Sequence, residues 1–210
     1  MQLSEIEKNY NEYYCNLSTM NMDIYDKLQS YNYSLAKNEI SESITNRMLS
    51  FWKTHDEIKN FLNKNQKQSS SDFFVECCLF FLRSYFSSVK TEWEIKSEFP
   101  IWKEKRKSIR PDITIWNKNN LLAIIEVKVQ LGRTRATWKD DLVQREIKLK
   151  SLFPDVYFAV ICHDECNWKP GFERNSDFGT KYFTLRDMNW NPTNSNFEML
   201  LKSILENVKS

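Results

Sequence analysis

Three charged side chains interrupt the two apolar stretches between Ile109 and Gly132. Asp112 follows a proline in the first stretch, and Glu126 and Lys128 lie inside the second. A charge within a buried strand is unfavourable unless a partner compensates it. Two neighbouring carboxylates would bind a divalent cation such as Mg²⁺ or Mn²⁺, and a lysine beside them can position or deprotonate the water that attacks a phosphate. These residue types therefore predict metal-assisted phosphodiester chemistry that needs no histidine.

The two stretches are expected to pair as an antiparallel hairpin. A short Asn-rich turn separates the predicted strand 109–116 from the predicted strand 121–131. Side chains alternate between the two faces of a strand, so Glu126 and Lys128 share one face, and Asp112 lies on the matching face of the first strand. The hairpin would bring the three side chains together. In the competing interpretation they form salt bridges on an exposed hairpin, which would contribute only ~0–1 kcal/mol.

The rest of the chain supplies the elements that would position this hairpin. Apolar residues recur at helical spacing in the first 66 residues, and the polar stretch 64–71 separates these helices from the remainder of the chain. After this stretch we predict a buried helix from Asp72, a half-buried strand 93–99, the hairpin, a helix 138–152, a buried strand 156–162, an edge strand 181–185 and a helix 196–208.

This order predicts an α/β (α+β) fold in which helices pack on one sheet. We predict two units: a helical N-terminal extension over residues 1–66, for dimerisation, regulation or target recognition, and a core with a C-terminal helix over residues 72–210. The order of elements in the second unit is helix, three strands, helix, strand.

Composition limits the classes of function. The 210 residues carry a formal net charge of +2 and contain no apolar run of the ~20 residues that a membrane helix needs. The five cysteines show no disulfide framework and the first residues show no signal-peptide pattern, so we expect a cytoplasmic protein with reduced thiols. His55 and His163 are the only histidines, which argues against a multi-histidine metal centre. Cys162, His163 and Cys166 could form half of a metal site, but the sequence contains no second pair of ligands that matches them.

The motif and its surroundings resemble a known group of nucleases. Pro111-Asp112, thirteen intervening residues and Glu126-Val127-Lys128 are similar to the PD-(D/E)xK motif of the restriction-endonuclease-like superfamily. The predicted order of elements over about residues 72–162 resembles the αβββαβ core of that superfamily. The resemblance implies that Asp112 and Glu126 are metal-binding carboxylates and that Lys128 is the catalytic lysine. It also implies that the backbone carbonyl of Val127 binds the metal.

Many members of this superfamily add a glutamate from the first core helix, and Glu76 matches that position. Its neighbours at 73–75 and 77–78 are apolar, and an unpaired carboxylate among them would be costly, which favours a role as a metal ligand. In the competing interpretation Glu76 faces solvent or pairs with Arg83 on the same helix.

Polar and basic residues near the hairpin are candidates for substrate contacts. Basic residues crowd at 103–110 and 133–139, where they could bind phosphates or form a solvated surface. The predicted substrate-binding residues are Arg110, Gln130, Arg133, Arg135 and Lys139. Gln130 continues the polar face of its strand, but it could equally be a polar residue at a strand end.

One further match is incomplete. Gln144 stands where RecB-like members of the superfamily carry a glutamine, but Lys148 replaces the tyrosine that follows it in those members. Two possibilities therefore stay open: the chain resembles the RecB-like branch, or Gln144 is simply a residue on the surface of its helix.

These observations favour a metal-dependent nuclease that uses Mg²⁺, with Mn²⁺ able to replace it. The resemblance implies a DNA endonuclease of the restriction, repair or defence type, although the residues themselves do not distinguish DNA from RNA or internal from terminal cleavage. A homodimer would supply one active site for each strand. Two alternatives stay open: a nucleic-acid-binding module that does not cut, and a protein-interaction module with the aromatic N-terminal helices as its interface. No membrane association is expected.

Overall fold

In the part of the chain that the structure describes, four helices come first, and strands with two further helices follow them. The computed structural model describes residues 3–89, 91–103, 108–131, 137–164 and 177–208. The helices are α1 Leu3–Ile6, α2 Lys8–Leu28, α3 Glu39–Phe61, α4 Ser71–Ser88, α5 Trp138–Leu152 and α6 Phe197–Asn207. The strands are β1 Glu94–Ser97, β2 Trp102–Lys103, β3 Ser108–Ile109, β4 Ile113–Asn117, β5 Asn120–Gln130, β6 Tyr157–Asp164 and β7 Tyr182–Arg186. Within these residues no helix is long and apolar enough to span a bilayer.

Five strands form one mixed sheet in the order β1-β4-β5-β6-β7, which confirms the predicted mixed α/β class. The pairs β1/β4 and β4/β5 are antiparallel, whereas β5/β6 and β6/β7 are parallel. The tight turn between β4 and β5 places Lys118 at a φ of +55°, and a turn this short can join only antiparallel neighbours. Helix α5 makes the longer crossover that the parallel pair β5/β6 requires.

The predicted strand 109–116 is wrong in one respect, because two separate strands occupy this stretch. Ile109 pairs with Trp102 in a small sheet made of β2 and β3, and β4 begins only at Ile113. Pro111 lies between them and has no backbone N–H to donate to a ladder, which accounts for the interruption. Asp112 therefore immediately precedes β4.

Different helices cover the two faces of the sheet. Odd-numbered residues of β5, such as Ile125 and Val127, belong to a large apolar cluster with α3, α4 and α6. The even-numbered Ile124 belongs to a second cluster, in which Leu142 and Leu149 of α5 take part. Because side chains alternate along a strand, Glu126 and Lys128 lie on the face that α5 covers.

Helix α3 is joined to the sheet through the main core. Its residues Ile40, Ile44 and Met48 are buried in the same cluster as β5. Its first turn is capped from α6, where the buried carboxylate of Glu198 accepts hydrogen bonds from the backbone N–H groups of Ile40 at 2.7 Å and Ser41 at 3.1 Å. The N-terminus of α3 is therefore fixed by a partner that lies more than 150 residues away in the sequence.

Candidate active site

The hairpin brings Asp112, Glu126 and Lys128 together. Nζ of Lys128 lies 2.7 Å from Oδ2 of Asp112 and 3.3 Å from Oε2 of Glu126. The backbone N–H of Val127 donates a hydrogen bond to the same Oδ2 atom of Asp112 at 2.8 Å. The register explains this convergence: Ile113 is paired with Ile125, so Asp112 comes level with Glu126.

The ammonium of Lys128 lies between the two carboxylates and compensates their repulsion. Burial of Lys128 alone would lower its pKa, but Glu126 and Asp112 together outweigh burial and raise the pKa above its usual value. Lys128 is therefore protonated at neutral pH. A protonated lysine can donate hydrogen bonds and stabilise negative charge, but it cannot accept a proton.

Glu126 is almost completely buried, with 1% of its side chain exposed. Burial raises the pKa of this carboxyl group and Asp112 adds to the effect, while Lys128 and Arg145 act in the opposite direction. Oε1 of Glu126 lies 2.8 Å from Nε of Arg145, yet neither atom has a hydrogen-bond partner in the described part of the chain. The contact is therefore an ion pair without an aligned hydrogen bond, and it leaves Oε1 incompletely satisfied.

Arg145 is a member of the site that the sequence analysis missed. It projects from α5, and its Nη2 group also donates to the carbonyl of Arg110 at 3.3 Å. A signal was present, because Arg145 lies three residues after Leu142 and four before Leu149, which are the buried residues of that helix. A cation on the inward face of a helix needs an anionic partner.

A cleft of about 730 Å³ opens beside these residues. Its lining comes from the segment 67–72, from Val75 and Glu76 of α4, and from Ser97, Glu98, Asp112 and residues 127–130. Asp112 and Lys128 thus reach the cleft, whereas Glu126 lies behind them. The cleft is open rather than enclosed.

Ser97, the last residue of β1, and Glu98, which follows it, support Asp112. The N–H of Glu98 and the hydroxyl of Ser97 donate hydrogen bonds to the carbonyl of Asp112 at 3.2 Å and 3.0 Å. Glu98 adopts a φ of +49°, which is uncommon for a residue with a side chain. Glu98 lies within the predicted strand 93–99, and a regular strand would not predict this supporting role.

The side chain of Glu76 is not in the buried environment that the sequence predicted. Glu76 is exposed, so the argument from a buried and unpaired carboxylate is wrong. It does line the cleft, as Asp112 does. It does not pair with Arg83, which donates through Nε and Nη2 to the carbonyl of Ile95 at 3.1 Å and 2.8 Å. The role of Glu76 as a metal ligand stays a prediction.

The remaining predicted residues are spread around the cleft. Gln130 lines it and donates from Nε2 to Oδ2 of the buried Asp164 at 3.3 Å. Arg110 and Lys139 are exposed, and Nε of Arg110 donates to the hydroxyl of Ser108 at 2.9 Å.

Gln144 does not belong to this group. It is exposed on α5 and does not line the cleft. Arg133 and Arg135 lie outside the described residues, so their predicted phosphate contacts stay predictions.

The donor atoms of the site suit a hard divalent cation. Asp112, Glu126 and Glu76 offer carboxylate oxygens, which Mg²⁺ and Mn²⁺ prefer. The incompletely satisfied Oε1 of Glu126 is a buried donor that a cation would compensate. Across the described ranges, however, no three acidic, cysteine or histidine side chains lie close enough to form a metal site. The arrangement fits a cation held by the two hairpin carboxylates.

Comparison with known proteins identifies no relative. No protein-family model matches the chain, and neither the curated proteins nor the solved structures contain a significant match. The functional interpretation therefore depends on the residues and their geometry.

Proposed function

We propose that this protein is a metal-dependent nuclease of the PD-(D/E)xK type, which hydrolyses phosphodiester bonds in DNA. One observation carries the proposal: Nζ of Lys128 lies 2.7 Å from Oδ2 of Asp112 and 3.3 Å from Oε2 of Glu126, at the edge of an open cleft. The chain order α4, β1, β4, β5, α5, β6 supports it. This order is helix, three strands, helix, strand once the short β2–β3 hairpin is set aside as an insertion.

In this proposal Asp112 and Glu126 would hold the Mg²⁺ ion together with the carbonyl of Val127. Glu76 does not form a three-carboxylate group with them in this structure, and its role as a further ligand stays a prediction. A bound divalent cation supplies two effects: it polarises the phosphate and lowers the pKa of the attacking water. Asp112 is held for this task by the N–H of Val127 at 2.8 Å. The burial of Glu126 places its charge in a region of low dielectric, where attraction to a cation is strong.

Lys128 has the role of positioning and charge stabilisation. Because its pKa is raised by Glu126 and Asp112, it is protonated before substrate arrives. It can then donate hydrogen bonds to the attacking water and to the phosphate oxygens that gain negative charge. Of the two roles that the sequence suggested, the surroundings of Lys128 favour positioning the water over deprotonating it.

Cleavage assays test the proposal directly. The wild-type chain is incubated with end-labelled duplex DNA, single-stranded DNA and RNA, in the presence of Mg²⁺, Mn²⁺ or EDTA. We expect DNA cleavage with either cation and none with EDTA. Replacement of Lys128 or Asp112 by alanine is expected to lower the rate about 10³-fold, because each substitution removes a group that acts on the reacting phosphate.

Lys118→Ala is the matched control, because Lys118 lies in the turn at the opposite end of the same hairpin. This variant should cleave at the wild-type rate. Cleavage that persists in Lys128→Ala or Asp112→Ala would exclude the assigned site. Metal-independent binding of nucleic acid without cleavage of any substrate would instead support the non-cutting alternative.

A further inference from the structure

The first two thirds of α2 project from the body of the protein. No residue of α2 is buried, and every residue from position 8 to position 20 is exposed. Among the described residues, the helix contacts the body near its C-terminal end, where Tyr25 packs edge-on against Phe80 at 5.9 Å and Leu28 contacts the main core. A helix that projects in this way has no tertiary packing to stabilise it.

The projecting part nevertheless carries large apolar side chains in a regular pattern. Tyr10, Tyr13, Leu17 and Met20 are exposed by 65%, 59%, 36% and 50%. Their spacing of three, four and three residues is the a/d pattern of a coiled coil. We call these four residues the N-terminal seam. The ion pair between Lys8 and Glu12 lies on the opposite side of the helix, so the seam itself carries no charge.

The pattern is complementary to itself when two copies run antiparallel. A two-fold axis beside Cys15 places Tyr10 against Met20 of the second copy and Tyr13 against Leu17 of the second copy. In antiparallel coiled coils an a position faces a d position, and each of these pairs joins one of each kind. The contact is closed, because the same four layers serve both chains.

Charge also favours a second copy in this orientation. Lys27 occupies the next d position of the same heptad pattern and is exposed. A parallel pair would place Lys27 against Lys27 of the other chain, which is repulsive. With the axis beside Cys15, an antiparallel pair places Lys27 opposite Leu3 of the other chain, and the exposed Glu5 and Glu7 follow Leu3 in the sequence. The antiparallel pair also sets the two helix dipoles in opposite directions.

We propose that the N-terminal seam is a dimer interface, on which α2 of a second copy of this chain packs antiparallel. This inference is independent of the nuclease activity, because it uses none of the residues of the cleft. It would give each assembly two clefts related by a two-fold axis.

The mass of the full-length chain in solution tests the interface. Over a concentration series in sedimentation equilibrium, we expect the mass to rise from 25.3 kDa towards twice that value. Leu17→Glu should raise the dimer dissociation constant on the order of 100-fold, because the symmetry removes an apolar contact and adds a carboxylate in two layers at once. Since Leu17 belongs to neither core cluster, this variant should remain folded.

Asn11→Glu is the matched control, since it introduces the same charge into the same helix on the side away from the seam. It should dimerise like the wild type. A wild-type chain that stays at 25.3 kDa at all concentrations would overturn the proposal. Equal dissociation constants for Leu17→Glu and Asn11→Glu would also overturn it.

Disulfide cross-linking tests the orientation. Tyr13→Cys and Leu17→Cys are made separately in a Cys15→Ser background, with tags of different mass, and are oxidised alone and as a mixture. The antiparallel seam predicts a cross-linked species that forms mainly in the mixture and joins the two differently tagged chains. Cross-linking of each variant with itself at the same yield would contradict the antiparallel pairing, and the Cys15→Ser parent provides the blank.

Discussion

Glu126 and Glu198 are both glutamates that the fold buries almost completely, with 1% and 2% of their surfaces exposed. Their partners differ. Glu198 accepts hydrogen bonds from the backbone N–H groups of Ile40 and Ser41 at the first turn of α3, and the hydroxyl of Ser41 donates to its other oxygen. Each oxygen of Glu198 is therefore satisfied by a group that belongs to the framework of the fold.

Glu126 has side-chain cations in place of backbone donors. Lys128 reaches its Oε2 atom at 3.3 Å, and Arg145 lies 2.8 Å from its Oε1 atom without an aligned hydrogen bond. Backbone donors at a helix terminus cannot leave without unfolding that turn, whereas lysine and arginine side chains can change rotamer. Lys128 and Arg145 can therefore move away from Glu126 in the folded protein, whereas the two backbone donors to Oε1 of Glu198 cannot move away from it.

The two glutamates show how a carboxylate with a structural role differs from one that we propose to be functional. Burial alone does not separate them, since both side chains are inaccessible. The separation comes from whether the compensating groups are fixed and complete, as they are at Glu198, or movable and incomplete, as they are at Glu126. If this distinction is right, the same substitution at the two positions should damage different properties.

Glu126→Gln should have the largest effect, and the effect should be on activity. We expect single-turnover cleavage of DNA to slow on the order of 10³-fold, because the amide lacks the charge that we propose holds the cation. Unfolding by urea at neutral pH should show an unchanged or slightly higher midpoint, because the raised pKa of Glu126 means that the fold disfavours the ionised form. An inactive variant that is also strongly destabilised would remove the distinction from Glu198.

Glu198→Gln should produce the reverse result. The amide keeps one acceptor but loses the charge-assisted hydrogen bonds to α3, so we expect the free energy of unfolding to fall by about 1–3 kcal/mol. The rate of cleavage per folded molecule should not change. Urea denaturation and the cleavage assay, run on the same preparation at a temperature where the variant is folded, measure both quantities. A loss of cleavage that exceeds the loss of folded protein would argue against a purely structural role.

The position of the hairpin residues could be predicted from the sequence, because it depends on local rules. Alternation along a strand places Glu126 and Lys128 on one face, and a short turn makes the two strands antiparallel neighbours. The interruption at Pro111 could also have been predicted, because a proline within a predicted strand indicates a break in the strand. The predicted strand from residue 109 overlooked it.

The surroundings of the site could not be predicted in the same way. Glu76 was judged by its sequence neighbours, but adjacent residues in a helix point about 100° apart, so apolar residues at 75 and 77 do not set its environment. Arg145 reaches Glu126 only because α5 docks on that face of the sheet. The capping of α3 by Glu198 joins residues more than 150 positions apart, and no local pattern reports such a contact.

Arg145→Gln should have an intermediate effect on the rate of cleavage, and it tests the ion pair with Glu126. Removal of the guanidinium leaves Oε1 of Glu126 without its nearest cation. We expect cleavage to slow about tenfold, as is usual when a group that orients a metal-binding side chain is lost. The loss should be smaller at higher pH, because Arg145 lowers the pKa of Glu126 and its removal shifts ionisation upwards.

Lys148→Gln is the control for this variant, because it removes a cation from an exposed position on the same helix. It should leave both the rate and its pH dependence unchanged. If the two variants behave alike, the effect of Arg145 is a general one of surface charge and the ion pair with Glu126 has no specific function.

The smallest expected effect is on the way that stability depends on pH when no divalent cation is present. The wild type and Glu126→Gln are compared in EDTA. The pKa of Glu126 is raised above 4.5 in the folded state, chiefly by burial. The folded state therefore binds this proton more tightly than the unfolded state does, and the resulting stabilisation is complete below 4.5. It is lost as the pH rises through the folded-state pKa, so the wild type should lose stability relative to Glu126→Gln between 4.5 and neutral pH. Urea midpoints across this range measure the difference. If the stability of the wild type rises relative to that of the variant as the pH rises, Lys128 and Arg145 outweigh burial in setting the pKa of Glu126. Glu126 would then be compensated as fully as Glu198.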